Sequence, residues 1–332
     1  MPRLPVLPSL STLAAAALLA ACGGGGDSAG GGKLGLSADN YVSAGQEALA
    51  AGLQFEESTE LIVGAQAVRR SDASLLNVAL TALRAAAGSA PALPVTATGL
   101  VITASFNCDN AGGRYTLASD DANNNNRYDA GDTLTFTFSN CTLGGDTANG
   151  SATITIKSLS GNLNSDVYNG SFSLAMTALT LGGDSGRYTG DGQFDVTLVG
   201  TAADTGSGSI SAPSFKSVAV FGNQTSSRSL SNFSVNESHV PDSGGQRSSI
   251  RFDGTLATVG FNNRSISVTT VAPFVVNGGA RYPSSGQAVV SGGTAGVVRV
   301  TAIDGNTVRF ELDAQGDGVY ETTTTRSWSE LL

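Results

Sequence analysis

From Val95 to the C-terminus, apolar residues recur at every second position, and this period restricts the chain to half-buried β-strands. Gly150, Ala152, Ile154 and Ile156 alternate with Ser and Thr. Gly170, Phe172, Leu174 and Met176 do the same, as do Gly192, Phe194, Val196 and Leu198. The three runs begin 20 to 22 residues apart, a length that suits one two-stranded hairpin. On that reading every second strand turns its apolar side the same way, as in an antiparallel meander. Similar runs recur around 215–221, 249–257, 264–272, 287–291, 296–303 and 307–312. A dozen or more strands are too many for a flat open sheet. The expected fold is therefore mainly β: a curled antiparallel meander, an open barrel or a sandwich, with an N-terminal helical cap.

That cap falls in residues 38–94, the one region with helical character. Ala, Leu, Glu and Gln dominate it, and Leu76, Leu80, Leu83 and Ala87 repeat at helical spacing. Ser71 or Asp72 can cap the last helix, Gly88 can end it, and Pro91 and Pro94 forbid its continuation. These helices are expected to pack on the β domain, residues 95–332.

Ahead of the helices lies a different kind of sequence. Arg3 gives a positive start, Leu10 to Ala21 an apolar core, and small residues lead into a cysteine. This layout is that of a secretory signal, with an apolar run too short for a permanent membrane helix. Leu19-Ala20-Ala21-Cys22 resembles the lipobox of bacterial lipoproteins, which implies removal of residues 1–21 and acylation of Cys22. Residues 22–37 then form a Gly-rich linker between the lipid and the folded domain. Gly23 follows the cysteine, whereas lipoproteins kept in the inner membrane more often carry Asp there. The resemblance thus implies an envelope protein in the outer membrane, its contact with the membrane made through the lipid.

The formal net charge is −9, only three residues are lysine, and no basic cluster occurs. These features argue against nucleic acid as a partner. In an oxidising compartment the two remaining cysteines, Cys108 and Cys141, read as a disulfide. With one histidine and no CxxC, a thiolate metal site is not expected.

Two loops have oxygen-bearing side chains at the spacing of a Ca²⁺ loop. A hard cation needs six to eight converging oxygens, and one tight turn can supply them. In the first, Asp121, Asn123, Asn125, Asp129 and Asp132 occupy positions 1, 3, 5, 9 and 12, with the backbone carbonyl of Arg127 at 7. Asn126 stands where glycine is usual, and the flanks are strands instead of the helices of an EF-hand. The second comprises Asp313, Gln315, Asp317, the carbonyl of Val319, and Glu321. Thr324 stands where its closing carboxylate would be, so this loop is expected to bind Ca²⁺ more weakly.

No catalytic residues are assigned. Asp184-Ser-Gly, Asp204-Thr-Gly and Asp242-Ser-Gly match an aspartic-protease tripeptide but lie in Gly/Ser-rich turns. His239, four residues before Ser243, reads as a solvated loop residue.

Larger stretches carry a family resemblance. SADNYVSAGQEAL, RYTLASDDANNNNRYDAGDTLTFTFSNC and the C-terminal YPSSGQAVVSGG to SWSELL resemble a family of proteobacterial envelope lipoproteins. This implies a secreted, lipid-anchored β protein with Ca²⁺-type loops, and names no substrate. The functional expectation is a non-catalytic structural or binding protein. The alternative is a periplasmic carrier holding lipid or another apolar ligand in a half-barrel cavity.

Overall fold

A computed structural model of the chain describes residues 31–54 and 102–331, apart from loop positions 109–111, 126, 144–145, 164, 166, 184–185, 203–204, 244 and 279. It also describes Leu75, Leu76, Ala79, Leu80 and Leu83. Cys22, the signal segment, the capping residues Ser71, Asp72 and Gly88, and the first expected β residues (95–101) lie outside the described residues.

Among the described residues, helix α1 (Tyr41–Leu53) and the helical positions Leu75, Leu76, Ala79, Leu80 and Leu83 precede fourteen strands. The first seven are β1 (Ile102–Asn107), β2 (Arg114–Asp120), β3 (Thr133–Leu143), β4 (Asp146–Gly161), β5 (Tyr168–Gly183), β6 (Gly186–Ala202) and β7 (Thr205–Phe221). The rest are β8 (Gln224–Asp242), β9 (Gly245–Thr258), β10 (Ser265–Val276), β11 (Ser285–Ser291), β12 (Val297–Ala302), β13 (Thr307–Asp313) and β14 (Thr322–Ser327). A short helix, α2 (Trp328–Leu331), ends the chain. All fourteen strands form one antiparallel sheet in sequence order. The sheet is an open meander, not a closed barrel.

The 20-to-22-residue repeat has a different origin from the one expected. Its three runs lie on consecutive strands, β4, β5 and β6, each 16 or 17 residues long. The repeat is therefore one strand plus its turn. What hides the strand length is a change of parity halfway along. In β5 the inward residues are Phe172, Leu174 and Met176, then Leu179 and Leu181. In β7 they are Ile210 and Ala212, then Phe215 and Ala219. At each change an extra residue forms a β-bulge, which bends the strand and resets which side faces in.

The bulges lie side by side. Asn140, Ala178 and Asn232 adopt left-handed φ angles of 49°, 47° and 46° on β3, β5 and β8. Gly150 (φ 96°) lies on β4, beside Ala178. Together with the β7 bulge they crease the sheet from β3 to β8. At Gly150 the two backbones approach so closely that a Cβ would lie 2.2 Å from the Ala178 carbonyl oxygen.

The concave side carries the core. Phe194 and Phe215 pack with ring centroids 4.6 Å apart, and Phe252 stacks on Phe274 at 5.3 Å. Helix α1 lies on this side over β9 and β13, with glycines where it touches. A Cβ on Gly52 would be 2.2 Å from Phe252 Cγ, and one on Gly45 would be 2.6 Å from Phe310 Cδ1. The helical positions Leu75, Leu76, Ala79, Leu80 and Leu83 are all buried. Leu75 packs over β6 and β7, where it meets the space above Gly190 beside Phe215. The expected helical cap on the sheet is seen at these positions.

The described part of the segment expected as linker, residues 31–37, is docked on the sheet. Lys33 bridges Ser265, Leu34 N donates to Ser265 O (2.8 Å), and Leu34 and Leu36 are buried. Two leucines in an otherwise Gly-rich segment suffice to dock it. Cys108 and Cys141 form the expected disulfide, with Cα atoms 5.3 Å apart. The bulge at Asn140 breaks the even-numbered alternation of Leu134, Phe136 and Phe138 and turns Cys141 into the core.

The crease generates a prediction of opposite signs at facing positions. Ala178→Gly should stabilise the fold by about 1 kcal/mol, because a left-handed L-residue costs about 1–2 kcal/mol. Gly150→Ala should destabilise it by about 2 kcal/mol or more through backbone collision. Urea denaturation of both variants measures the pair, and equal signs would show that the crease does not constrain these residues.

Candidate functional site

Turns at the two ends of the sheet carry the two Ca²⁺-type loops. The first joins β2 to β3, and the second joins β13 to β14 at the opposite end.

In the first loop Asp132 is fully buried. One of its carboxylate oxygens accepts the Ala122 N–H (2.9 Å) and the other the Asp129 N–H (2.8 Å). Asp132 thus ties the two ends of the loop together. Asn125 N donates to Asn123 Oδ1 (3.0 Å) and Asp121 Oδ1 (3.2 Å), and Arg127 N donates to Asn125 Oδ1 (2.8 Å). The amide nitrogens of Asn123 and Asn125 both donate to Asp129. Among the described loop residues Asn124 (φ 58°) and Gly131 (φ 103°) have positive φ; Asn126 lies outside them. The loop is a set of Asx turns that satisfies its own acceptors.

The second loop gathers charge. Single carboxylate oxygens of Asp313, Asp317 and Glu321 lie within 4.8 Å of one another, an arrangement that could hold a metal ion. Asp313 is buried and receives three backbone donors: Gly316 N (2.6 Å) and Asp317 N (3.2 Å) on Oδ1, and Gly318 N (2.8 Å) on Oδ2. Burial pushes the Asp313 carboxyl upward, but the N–H groups of Gly318, Gly316, Asp317 and Gln315 outweigh it and hold the pKa below the usual aspartate range. Asp317 accepts from Val319 N (2.9 Å), and Glu321 accepts from Ala314 N (2.9 Å). Among the described residues the Gln315 side chain has no hydrogen-bond partner, and Val319 is exposed.

A neighbouring cluster that sequence reasoning missed braces this loop. The Arg299 guanidinium on β12 lies 3.9 Å above the Tyr320 ring, between Asp317 and Glu321 in sequence. Glu311 on β13 grips the same guanidinium through Nε (2.8 Å) and Nη2 (2.9 Å). Arg309 lies 3.2 Å from Glu311 as well. The hydrogen bond from Arg299 holds the Glu311 carboxyl below the usual glutamate range, against an upward push from burial. The only available signal in the sequence is weak: Arg299 and Glu311 take strand positions where the period calls for polar residues.

The remaining sequence candidates separate. Asp242 Oδ1 accepts Ser243 N at 2.7 Å, a local side-chain bond in the turn between β8 and β9. Asp184 and Asp204 lie outside the described residues. His239 is not solvated: it is buried on the concave side of β8, above Gly206, in line with the buried Glu237. Alternation from Phe233 and Val235 carries it inward.

Glu311 and Asp313 both have depressed pKa values. Their stabilisation is complete above the ordinary carboxylate pKa of about 4 and is lost as pH falls through the lower folded value. Urea unfolding should therefore show stability level from neutral pH to about 5 and falling below about 4. Glu311→Gln should cost about 2 kcal/mol at pH 7, the scale of a charged hydrogen bond, and should flatten the acid limb. An unchanged acid limb in that variant would remove Glu311 from the account.

No family model matches the chain, and neither a curated protein nor a solved structure is significantly similar to it.

Proposed function

We propose that the chain is a lipid-anchored protein of the cell envelope with a non-catalytic, structural or binding role, its end loops tightened by Ca²⁺. Cys22 carries the acyl chains, the outer membrane receives them, and the folded domain stands off the bilayer.

The observation that carries the structural reading is how the concave side is filled. Phe136, Phe172, Phe194, Phe215, Phe233, Phe252, Phe274, Phe310 and Trp328 each expose less than 2% of their surface. A ring lining a water-sized space would expose more. A carrier of apolar ligands needs such a space, so the packed rings favour a structural role over a carrier.

Ca²⁺ suits the second loop best. Asp313, Asp317 and Glu321 supply hard oxygen ligands, and the Val319 carbonyl lies at the backbone position of such a loop. Three like charges this close repel one another, and a divalent cation relieves that repulsion. The first loop, already satisfied by its own amides, has less to gain.

Two measurements test the proposal. Cys22→Ser should abolish palmitate labelling and move the protein from the membrane to the soluble fraction; retention of both would exclude the anchor. Millimolar Ca²⁺ against EDTA should raise stability by about 1–3 kcal/mol, the gain for a site with an extracellular-type Kd of about 10⁻⁵ to 10⁻³ M. Asp317→Asn with Glu321→Gln should remove most of that gain without lowering stability in EDTA, since the repulsion between the carboxylates is relieved, while Asp121→Ala with Asp129→Ala should remove less. A gain that survives the first pair of substitutions would place the ion elsewhere.

A further inference from the structure

The β10–β11 turn holds a reactive pair of residues that the proposed role does not use. Asparagine followed by glycine occurs three times in the chain: Asn149–Gly150, Asn169–Gly170 and Asn277–Gly278. With no Cβ on the second residue, its backbone nitrogen has an open path to the asparagine side-chain carbon. The fold treats the three pairs differently.

Two of them lie inside strands. Asn169 pairs with Ser160 of β4 and Val199 of β6, and Gly170 with Leu159 and Leu198 of the same strands. Asn149 lies opposite Thr180, Gly150 lies opposite Phe138, and Asn149 Oδ1 also accepts Asn140 N (2.8 Å). An antiparallel strand keeps ψ at about +135°. That angle turns the glycine nitrogen away from the side-chain carbon, and rotating it back would disrupt the ladder.

The third pair stands outside every ladder. Strand β10 ends at Val276 and β11 begins at Ser285. Asn277 is exposed, and Ala280 N donates to Asn277 O (2.9 Å) to close the turn. The Asn277 side chain is held by one bond, from Nδ2 to Ser284 Oγ (2.9 Å). Among the described residues the Gly278 N–H has no acceptor.

We infer that Asn277 is a site of self-modification, converted to isoaspartate and aspartate through a cyclic imide formed with Gly278. The Gly278 nitrogen bonds to Asn277 Cγ, and the Cγ–Nδ2 bond breaks. Nδ2 leaves as ammonia, carrying the proton lost from the Gly278 nitrogen. Water then adds to one of the two imide carbonyls. Addition at Cγ restores the main chain as aspartate. Addition at the Asn277 backbone carbonyl carbon leaves the chain running through the side chain, as isoaspartate. Either product puts a carboxylate where the amide was, so Ser284 Oγ loses its donor and the formal net charge goes from −9 to −10. Isoaspartate also adds a methylene to the chain next to the buried Val276. The modified fraction grows with time since synthesis, whether or not the protein carries a lipid.

Peptide mapping by mass spectrometry tests this on the full-length protein held in mildly alkaline buffer, which favours attack by the glycine nitrogen. In folded protein Asn277 should convert at least about tenfold faster than Asn149 and Asn169, which react only from locally opened ladders. In urea the three rates should converge, because the ladders are gone. Gly278→Val should slow conversion of Asn277 in both states, since its side chain blocks the approach; the urea arm reads this even if the variant folds poorly. Equal rates at the three sites in folded protein, or an Asn277 left intact while the unfolded chain reacts, would overturn the site. Aspartate without isoaspartate at Asn277, or an unchanged rate in Gly278→Val, would overturn the imide route.

Discussion

A single sheet with one apolar side must bury that side against something, and every large feature here follows from this requirement. Fourteen strands in sequence order bring no second sheet with them. The apolar side can be covered only by bending the sheet over itself and by adding helices. Bulges at Asn140, Gly150, Ala178 and Asn232 supply the bend. Helix α1 and the segment containing Leu75 and Leu83 supply the cover. Glycine is the contact residue where α1 crosses, since Phe252 and Phe310 leave no room for a Cβ. Large rings on the sheet and small residues on the helix are two halves of one packing solution.

Charge is spent sparingly and at the margins. The convex side is mostly Ser and Thr, paired across strands as Thr135 with Thr153 and Thr180 with Thr189. Such pairs are worth tenths of a kcal/mol each, so they keep the surface wet more than they stabilise it. The strong electrostatics sit near one end, where Glu311 holds Arg299 and Arg299 covers Tyr320. That chain of contacts fixes the backbone between Asp317 and Glu321. It also explains how three carboxylates can be held close together in a turn: the backbone N–H groups around Asp313 and the neighbouring arginine offset part of their repulsion.

The sequence made the strand class, the sheet's antiparallel order and the cysteine pair legible, because each depends on local period or on a count of two. It concealed strand length. Met176 and Leu179 are both inward on β5, three residues apart, and a period-two reading stops at that break and counts a new element. Helix positions Leu76, Leu80 and Leu83 were legible from spacing, but not that Leu34 and Leu36 would dock, since two leucines in a glycine run carry no period. The candidate site divides in the same way. Asp313, Asp317 and Glu321 follow from loop spacing. Arg299 and Tyr320 meet only because β12 lies beside β13 and the loop folds back, which is register information absent from either segment alone. His239 was misread because its neighbours are polar; only the inward parity set by Phe233 and Val235 shows where it points.

An open sheet leaves two edges, and unpaired edges invite association with other chains. This protein makes both edges short. Strands β1 and β14 have six residues each, while β4 to β8 have 16 to 19. Each is also fastened at one end by something other than its ladder. Cys108 follows β1 and is bonded to Cys141 on β3, so the edge strand is tied past β2 to the third strand. After β14 the chain turns into α2, where Trp328 is buried, stacks on Tyr282 and donates to Asp304 O. Tyr41 of α1 reaches the same strand through its hydroxyl, 2.5 Å from Thr324 Oγ1. A six-residue strand held only by one ladder would fray; a covalent staple on one side and a buried indole on the other remove that freedom. The disulfide and the C-terminal tryptophan, far apart in sequence, therefore do the same job at opposite margins of the sheet.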